Sequence, residues 1–494
     1  MPRLPLIGGA YMARGPIANA QSCINLFAEN NTQDAAFPVT HYPASGLSVY
    51  ADYTGIFNGY VRGLYWSSRG QFFAAVGDTV IQVTGPGPAG YTTIVNIGNS
   101  GYPVSMMDNG NILCIVDGTA NQDTQGGTVA GGNGWFVDLA TLAVQKITDP
   151  AFDGASKVDY IDTFFVFNWP GTPTFYSTLS NITLTTSPQW DSAYWAEKTG
   201  YNDHLMTLIA LHDNLWLFGA QTTEIWFNAG TPGLPFQRMP NAVLHYGVVG
   251  QWAAIISGES VYWLSQDRNG RLIFMQGQGF QSQRVSNYAV ENEWANYTFV
   301  SDTQLMAYQQ AGHEYIHLYF PIANRSWTFD TAGHWHRRTF GPNDDAWLPY
   351  TICPWGTLYD QGPGQQNLII AGDRTGPRLL AIDRYTYTDV GLPIKRVRAW
   401  PHVVEDQRRM AHTQFVAALQ SGSIIPDQVT LRWSDDYGNN FGSPVSHTTN
   451  QRINGQYQWR RLGYTRDRVY ELSWTSPGET ALNGAWVEVE PSET

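Results

Sequence analysis

Pairs of apolar segments joined by a short polar turn recur along most of this chain, and their spacing restricts the fold more than any other feature. Six pairs are clear and a seventh is weaker: GLYWSSRGQFFAAV, SMMDNGNILCIV, VDYIDTFFVF, LIALHDNLWLF, AAIISGESVYWL, MAYQQAGHEYIHLYF and TLYDQGPGQQNLIIA. Their turn centres are 41 to 54 residues apart, at Ser68, Asn109, Asp162, Asp213, Gly258, Gly312 and Gly364. A repeat of this length, built from paired strands, is typical of β-propeller blades.

Several units also contain a third strand about seven residues after the pair. The clearest examples are TTEIWF at 222–227, RLIFM at 271–275 and SWTFD at 326–330. All are rich in β-branched and aromatic residues, which favour strands. We therefore predict an all-β chain in which residues 61–393 form a β-propeller of six or seven blades. Helix signals are nearly absent, and one short helix is expected within 289–297.

The two ends of the chain have a different pattern. Residues 1–60 are rich in small residues and weakly periodic, which predicts an arm or platform that orders against a neighbour. Residues 394–494 contain the alternating segments QFVAALQ, QVTLRWS, YQWRRL and RVYELSW. Such alternation predicts an antiparallel β-sandwich module.

Charge is distributed unevenly between these parts. The chain of 494 residues has a net charge of −13, and only 14% of its residues are charged. Residues 394–494 hold 11 basic and 11 acidic residues, so residues 1–393 carry the whole −13. An acidic body argues against wrapping nucleic acid, although it is compatible with DNA that passes without adhering.

The cysteines and the lengths of the apolar runs indicate the cellular compartment in which the protein is made. Cys23, Cys114 and Cys353 are far apart and form no redox or metal motif, so we expect buried free thiols in a reducing environment. No run approaches the ~20 apolar residues of a membrane span, and the N-terminal run is too short for a signal peptide. We expect a protein that is made in a cytoplasm and has no membrane span.

One hairpin, RWSDDYGNNF, has the spacing of the Asp box found in sialidases and related propeller glycosidases. Its positions are Ser434, Asp436, Gly438 and Phe441. In such a turn the carboxylate accepts backbone N–H groups, the glycine supplies a positive φ and the aromatic residue covers the hairpin. Because the one full copy lies outside the predicted propeller, we interpret these four residues as a structural staple.

No catalytic residue is assigned from the sequence. A glycosidase needs two carboxylates at a defined separation, and sialidases also need an arginine cluster, which the sequence does not bring together. Arginine pairs occur at three places, 337–338, 408–409 and 460–461. Adjacent residues on a strand face opposite sides, so each pair is expected to offer one arginine to solvent or a partner.

Two further motifs are expected to have no metal or cofactor role. HEYIH, at 313–317, matches a zinc-protease pattern that requires a helix, but the alternation around it predicts a strand. GPGPAG, at 85–90, contains two prolines and is followed by β-branched residues, so it does not open a phosphate-binding helix. We predict neither metal nor cofactor.

Both ends of the chain resemble the packaged-DNA stabilisation proteins of short-tailed bacteriophages, also called tail hub or nozzle proteins. PRLPLIGGAYMARGPIANAQSCINLFAEN is similar to their N-terminus, with the Asn-x-aromatic-x-Glu signature at Asn25, Phe27 and Glu29. VTLRWSDDYGNNFGSPVS and QWRRLGYTRDRVYELSWTSP are similar to their terminal module. Asn440-Phe441 replaces the more usual Thr-Trp of that module. These motifs cover about a third of the chain.

The resemblance implies a homo-oligomeric ring of six copies in the virion tail, attached below the portal and its adaptor ring. Such a ring extends the DNA channel and retains the packaged genome until ejection, together with a tail needle or plug, or with fibre or spike proteins. The DNA passes without sequence-specific binding, and assembly takes place in the host bacterial cytoplasm. Tyr11, Asn25 and Glu29 are the candidate contacts with the adaptor or neighbouring subunits. A propeller glycan hydrolase or a receptor-binding tail protein remains the alternative.

Overall fold

A computed structural model describes most of the chain. The described residues are 3–6, 14–31, 37–119, 122–124, 127–129, 132–201, 203–342, 348–358, 368–406, 408–421, 428–448, 452–453 and 455–491. They form β-strands and one short helix. Five strands precede the repeating part of the chain: β1 (Arg3–Leu6), β2 (Ser22–Ile24), β3 (Leu26–Asn30), β4 (Val39–Pro43) and β5 (Gly46–Asp52).

Seven antiparallel sheets, which we call blades 1 to 7, follow one another from residue 61. Blade 1 contains β6 (Val61–Trp66), β7 (Phe72–Val76), β8 (Thr79–Val83) and β9 (Tyr91–Asn96). Blade 2 contains β10 (Ser105–Asp108), β11 (Ile112–Val116), an inserted hairpin of β12 (Gln122–Thr124) and β13 (Gly127–Val129), then β14 (Gly134–Asp138) and β15 (Val144–Lys146). Blade 3 contains β16 (Val158–Ile161), β17 (Phe164–Asn168), β18 (Thr174–Thr178) and β19 (Trp190–Glu197).

The later blades repeat the same order. Blade 4 contains β20 (Leu205–Leu211), β21 (Asn214–Gly219), β22 (Thr223–Asn228) and β23 (Phe236–Leu244). Blade 5 contains β24 (Ala254–Ser257), β25 (Ser260–Gln266), β26 (Leu272–Gln278) and β27 (Gln281–Arg284), and is followed by α1 (Tyr288–Trp294). Blade 6 contains β28 (Gln304–Gln310), β29 (His313–Phe320), β30 (Arg325–Asp330) and β31 (His334–His336).

Blade 7 is assembled from two distant parts of the chain. Its first three strands are β32 (Ile352–Leu358), β33 (Leu368–Asp373) and β34 (Arg378–Asp383), and its fourth is β5, which pairs antiparallel with β34. Two short strands extend the same sheet beyond β5, β35 (Thr388–Asp389) and β36 (Leu392–Pro393). An N-terminal strand therefore closes the circle of blades.

The first strands of the blades surround a common axis. Each contacts the first strand of the next blade, from β6 through β10, β16, β20, β24 and β28 to β32, which contacts β6 again. The predicted all-β propeller is therefore confirmed, with seven blades. Six of the predicted turn centres join a first strand to a second strand, and Gly364, between β32 and β33, lies outside the described residues. The third strands predicted from the sequence correspond to β22, β26 and β30.

The one helix begins where the sequence allows a cap. The Asn287 side chain accepts hydrogen bonds from the N–H groups of Ala289 and Val290, at 3.1 and 3.0 Å. Such a cap satisfies N–H groups that have no partner within the helix. In the part of the chain that the structure describes, no helix is long and apolar enough to cross a membrane.

The C-terminal region forms a sandwich of two sheets. Its own strands are β37 (Lys395–Ala399), β38 (Val403–Val404), β39 (Met410–Ser421), β40 (Gln428–Ser434), β41 (Val445–Thr448), β42 (Tyr457–Arg460), β43 (Tyr464–Thr465), β44 (Asp467–Thr475) and β45 (Thr480–Pro491). One sheet joins β1, β3 and β4 to β39, β42, β43 and β45. The other joins β2 to β37, β38, β40, β41 and β44.

The sandwich core therefore contains residues from both ends of the chain. Cys23 and Leu26 from the N-terminal strands pack with Trp400, Phe415 and Trp474. Residues 1–60, assigned above to one arm, contribute β1 to β4 to this sandwich and β5 to the propeller. The division into functional units at 60 and 393 stays a prediction.

The three cysteines are free and buried, as predicted. Burial raises the pKa of the thiols, to about 11 for Cys23 and about 12 for Cys353. Burial also raises the pKa of Cys114 well above its usual value. Thiols of this kind are inert packing groups, because the reactive form is the thiolate.

Candidate functional site at the N-terminal arm

Residues 14–31 and 37–45 of the N-terminal arm run between the sandwich and blade 6. Its strand β2 pairs with β37, in register from Ser22 opposite Ala399 to Ile24 opposite Val397. Just beyond β31, the Arg337 carbonyl accepts the Asn25 N–H at 2.9 Å, and the Arg337 N–H donates to the Cys23 carbonyl at 3.2 Å. One short stretch of arm is thus hydrogen-bonded to both regions.

Asn25 lies at the centre of this crossing. It is fully buried, and its backbone has a φ of +57°, a conformation that Asn adopts more readily than most residues. Its side-chain amide donates to Thr339 Oγ1 at 2.9 Å and to the Lys395 carbonyl at 2.8 Å. Its side-chain oxygen accepts from Arg338 Nη1 at 3.0 Å and from the Thr339 N–H at 2.8 Å. Asn25 therefore connects the arm, the end of blade 6 and the first strand of the C-terminal region.

A buried ion pair lies against Asn25. Arg338 Nη2 is 2.8 Å from Asp389 Oδ1, and it also donates to the Ser45 carbonyl at 2.8 Å. The second Asp389 oxygen accepts the Gly341 N–H at 3.0 Å, and the guanidinium lies 4.0 Å from the centre of the Tyr350 ring. Burial alone would lower the pKa of Arg338, but the Asp389 carboxylate raises it above its usual value. Both charges are held by several hydrogen bonds, as a buried pair requires.

Glu29 contacts the propeller through a histidine of the HEYIH segment. Glu29 Oε1 is 3.1 Å from His313 Nε2, while Asp330 Oδ2 is 2.7 Å from Nδ1 of the same imidazole. The Glu29 side chain is 36% exposed, so part of it is accessible from outside this chain. Phe27 packs edge-on against His313, with ring centres 5.0 Å apart. Tyr11 lies outside the described residues.

The HEYIH segment is part of strand β29 and not of a helix. His317 is buried, and its Nε2 donates to the Tyr350 carbonyl at 2.9 Å. Burial lowers the pKa of His317 to about 4, so this imidazole is neutral at physiological pH. Among the residues with described positions, no group of three or more His, Cys, Asp or Glu side chains is arranged to hold a metal ion.

The Asp-box residues form a single hydrogen-bonded hairpin after β40. Asp436 Oδ1 accepts from Ser434 Oγ at 2.5 Å and from the Asn440 N–H at 2.8 Å, and the Gly438 N–H donates to Ser434 Oγ at 3.0 Å. These hydrogen bonds, that from Ser434 first, lower the pKa of Asp436 to about 2. The Phe441 ring lies 4.8 Å from the Arg432 guanidinium, so it covers a strand arginine beside the turn. The carboxylate is engaged as an acceptor within the turn.

The Asp-box hairpin also contacts the arm. Gly438 has a φ of +85°, and a Cβ at this position would lie 2.5 Å from the Ala20 Cβ. Nearby, the His402 imidazole lies between Asp467 and Pro16. Its Nδ1 is 2.6 Å from Asp467 Oδ1, and its Nε2 is 2.7 Å from the Pro16 carbonyl oxygen. The box therefore forms part of the surface on which the arm rests.

The axis of the propeller contains a cavity of about 340 Å³. The Lys157 ammonium lies 3.7 Å from the centre of the Trp252 ring. Two residues further on, in β16, Asp159 accepts the Ala210 N–H at 2.7 Å and the Tyr160 N–H at 2.8 Å. Burial lowers the pKa of Lys157 to about 8 and raises that of Asp159 to about 6. The Lys157 ammonium thus lies over an aromatic ring of the cavity wall, and the Asp159 carboxylate is hydrogen-bonded to two backbone N–H groups.

Sequence reasoning singled out Asn25 and Glu29 but missed the residues around them. The adjacent arginines 337 and 338 pointed to part of this cluster. One arginine of each pair was expected to face solvent or a partner, which leaves the other facing the interior, and Arg338 is the buried member. Asp389 and His402 gave none, because their partners are 51 and 386 residues away along the chain. Only the fold brings them together.

Comparison with solved structures gives distant matches. The extracellular domain of the hybrid two-component system BT4673 from B. thetaiotaomicron is 10% identical, with a TM-score of 0.41, over 69% of this chain and 40% of that one. This chain thus spans about two fifths of that protein. The computationally designed Ika8 protein is 12% identical, with a TM-score of 0.34, over 77% and 99% of the two chains. An exo-β-1,3-galactanase from Phanerochaete chrysosporium is 9% identical, with a TM-score of 0.27, over 78% and 95%.

Family models cover nearly the whole chain, whereas a comparison with curated protein sequences gives no match. The model described as bacteriophage P22 Gp10, β-propeller, matches residues 2–353. The model described as bacteriophage P22 Gp10, β-sandwich, matches residues 395–490. Both parts of the fold are therefore accounted for by one family of structural phage proteins. The chain belongs to the packaged-DNA stabilisation proteins of short-tailed bacteriophages, the family of bacteriophage P22 Gp10.

Proposed function

We propose that this virion protein forms a ring of six copies below the portal and its adaptor in the phage tail. The ring extends the DNA channel and retains packaged DNA until ejection. The observation that carries this proposal is the match of both Gp10 models, one to the propeller and one to the sandwich. The protein acts as a structural component and not as an enzyme, and it assembles with other virion proteins in the host cytoplasm.

The DNA channel is the space enclosed by the subunits. The cavity on the propeller axis has a volume of only about 340 Å³. A DNA duplex, whose major groove alone is about 12 Å wide, does not fit into a space of this size. Lys157 and Trp252 also occupy its wall. A single propeller cannot conduct DNA along its axis, which favours a channel between several copies.

Charge supports passage without adhesion. Residues 1–393 carry the whole net charge of −13, while residues 394–494 are neutral. DNA binding depends on basic side chains that displace counterions from the phosphates. An acidic body instead repels the duplex, so the genome moves past without sequence-specific contacts.

The N-terminal arm is the proposed contact with the adaptor and with neighbouring subunits. Glu29, which is 36% exposed, and Tyr11 are the candidate contact residues. Asn25 is buried and its amide is fully engaged within the chain, so it contributes by holding the arm in position. A tail needle or plug, or fibre and spike proteins, would join the ring after it has docked.

Electron microscopy of the purified protein mixed with portal and adaptor tests the assembly. We expect a sixfold ring attached to the adaptor, and a Glu29→Arg variant that docks more weakly while its folded structure is kept. Glu259→Arg, at an exposed glutamate of blade 5, is the matched control. A protein that never joins the tail assembly and instead cleaves host polysaccharide would refute the proposal.

Deletion of the gene tests the retention of DNA. We expect particles that package the genome and then lose it, because the channel is left without its terminal segment. The measurement is the DNA content of the particles over time after packaging. Stable, filled heads without this protein would contradict the role in retention.

A further inference from the structure

A second cavity, on the outer edge of blade 3, has no part in the function proposed above. Its volume is about 340 Å³, and its lining combines aromatic side chains with carboxylates, among them Trp169, Trp190, Trp195, Asp191 and Glu197. We propose that this aromatic pocket binds neutral hexose units of a polysaccharide.

An irregularity in the outer strand opens the pocket. In the β18–β19 pair, Tyr176 is opposite Trp195, but Thr178 is opposite Trp190. Four residues, 191–194, therefore face one residue of β18, Ser177, and the outer strand bulges away from the blade. Bulges of this kind redirect side chains and are frequent beside binding sites.

The pocket has one rigid aromatic wall and one exposed aromatic wall. The Trp190 ring is stacked on Phe136, with ring centres 5.6 Å apart, and also packs against Phe152 at 5.6 Å. The Trp195 side chain is 52% exposed. The accessible Trp195 indole provides a flat apolar face against which the C–H groups of a pyranose can pack, while Trp190 forms the fixed floor of the pocket.

The polar groups of the pocket match hydroxyl groups. Trp190 is only 3% exposed, and its indole N–H has no hydrogen-bond partner among the described residues. Asp191 and Glu197, both exposed, supply carboxylate oxygens that accept hydrogen bonds. A hydroxyl group donates to a carboxylate and accepts from an indole, so sugar hydroxyls satisfy both.

Other ligand classes meet only part of this chemistry. A quaternary ammonium or a lysine ammonium would suit the aromatic rings and the carboxylates, but it offers no acceptor for the Trp190 N–H. Acidic sugars and phosphates carry the same charge as the three carboxylates of the lining, which include Asp153. The described lining contains no Lys or Arg to offset that repulsion. A neutral hexose meets each of these conditions.

Titration calorimetry with the full-length protein tests the proposal. The probes are maltohexaose, cellohexaose, mannohexaose and β-1,3-galactotriose, with sialyllactose and tetramethylammonium as ligands of the disfavoured classes. We expect at least one neutral oligosaccharide to bind at millimolar or lower concentration, and neither sialyllactose nor tetramethylammonium to bind comparably. Failure of all four neutral probes, or a preference for tetramethylammonium or sialyllactose, would overturn the proposal.

Three variants locate the binding site. Trp195→Ala should weaken binding about tenfold or more by removing the exposed face, and Trp190→Phe should weaken it while keeping an aromatic ring. Phe280→Ala, at an aromatic residue of blade 5 that is 48% exposed, is the matched control and should bind like the wild type. Melting temperatures check that each variant is folded. Wild-type affinity in folded Trp195→Ala protein would overturn the proposal even if Trp190→Phe did not fold.

Discussion

The propeller and the sandwich are both built mainly from antiparallel strands, yet their strands pair over very different distances in the sequence. In blade 3, Ile161 pairs with Phe164 across a two-residue turn. In the sandwich, Leu6 pairs with Ala485 and Cys23 with Arg398. Among the described strands of the propeller, only β5 makes a comparable pairing. The blades are thus specified by local turns, whereas the sandwich needs both chain ends to meet.

Polar contacts follow the same division. In the propeller, turn carboxylates bind nearby backbone, as where Asp267 accepts the N–H groups of Asn269 at 2.8 Å and Arg271 at 2.9 Å. In the sandwich, Arg398 donates to the Ser22 carbonyl at 3.2 Å and to Gln21 Oε1 at 2.8 Å. Side chains of the C-terminal region therefore hold the arm in place, and the arm in turn connects the sandwich to blade 6.

The largest effect is expected from breaking the junction of the two regions. Arg338→Met leaves the Asp389 carboxylate buried without its ion-pair partner, which should cost about 3–5 kcal/mol of unfolding free energy. Denaturant unfolding measures this change. Arg384→Met, at an exposed arginine, is the control and should change little. A loss below about 1 kcal/mol in Arg338→Met would show that the pair does not hold the junction.

Truncating one core side chain in each region should show whether the sandwich and the propeller unfold independently. Leu26 in the sandwich and Leu215 in blade 4 are both fully buried, so replacing either with Ala should cost about 2–5 kcal/mol. Amide hydrogen exchange locates the loss. We expect Leu26→Ala to deprotect mainly sandwich amides and Leu215→Ala mainly propeller amides. Equal deprotection of both regions by Leu26→Ala would mean that they unfold as one unit.

Acid should weaken blade 6 through His317. Its pKa is about 4 in the folded chain and 6.5 ordinarily, so the unfolded chain takes up the proton first as the pH falls. The stability that His317 contributes is complete above pH 6.5, declines toward pH 4 and is lost below it, about 3 kcal/mol in all. His317→Gln, which keeps a donor for the Tyr350 carbonyl, should flatten the pH profile of unfolding.

The exposed His204 provides the control for this measurement. His204→Gln, immediately before β20, should leave the decline between pH 6.5 and 4 as it is in the wild type. Three other buried histidines also have lowered pKa values: His41, His336 and His412. They will keep part of the pH dependence of the unfolding free energy in every variant. An unchanged slope in His317→Gln would contradict the assignment to His317.

The smallest effect concerns the contact between the Asp-box hairpin and the arm. Gly438→Ala places a Cβ 2.5 Å from the Ala20 Cβ at a φ of +85°, so we expect a loss of about 1–3 kcal/mol. Gly270→Ala, in a β-turn of blade 5 with a φ of +77° and open space around it, has the backbone strain without the clash. The difference in melting temperature between the two variants measures the contact. No difference would mean that the hairpin and the arm do not press against each other.

The sequence predicted the repeating part well, because each blade encodes its own hairpins. Turn residues such as Asn109 and Asp162 separate apolar segments at a regular spacing along the sequence. In the fold they lie between the first and second strands of their blades. The helix after blade 5 was foreseen from its composition near residue 289. The N-terminal region was harder, since no local signal shows that β5 completes blade 7 or that β1 to β4 enter the sandwich.

The sequence by itself determined the all-β class, the blade period, the uneven charge and the family, because these depend on composition and on neighbours along the chain. Only the tertiary structure decided that Arg338 pairs with Asp389 beneath Asn25, or that Trp190 and Trp195 border one cavity. Such groups are brought together by chain closure and by a bulge in one strand. Their proximity is set by the packing of whole sheets, which no short segment of sequence records.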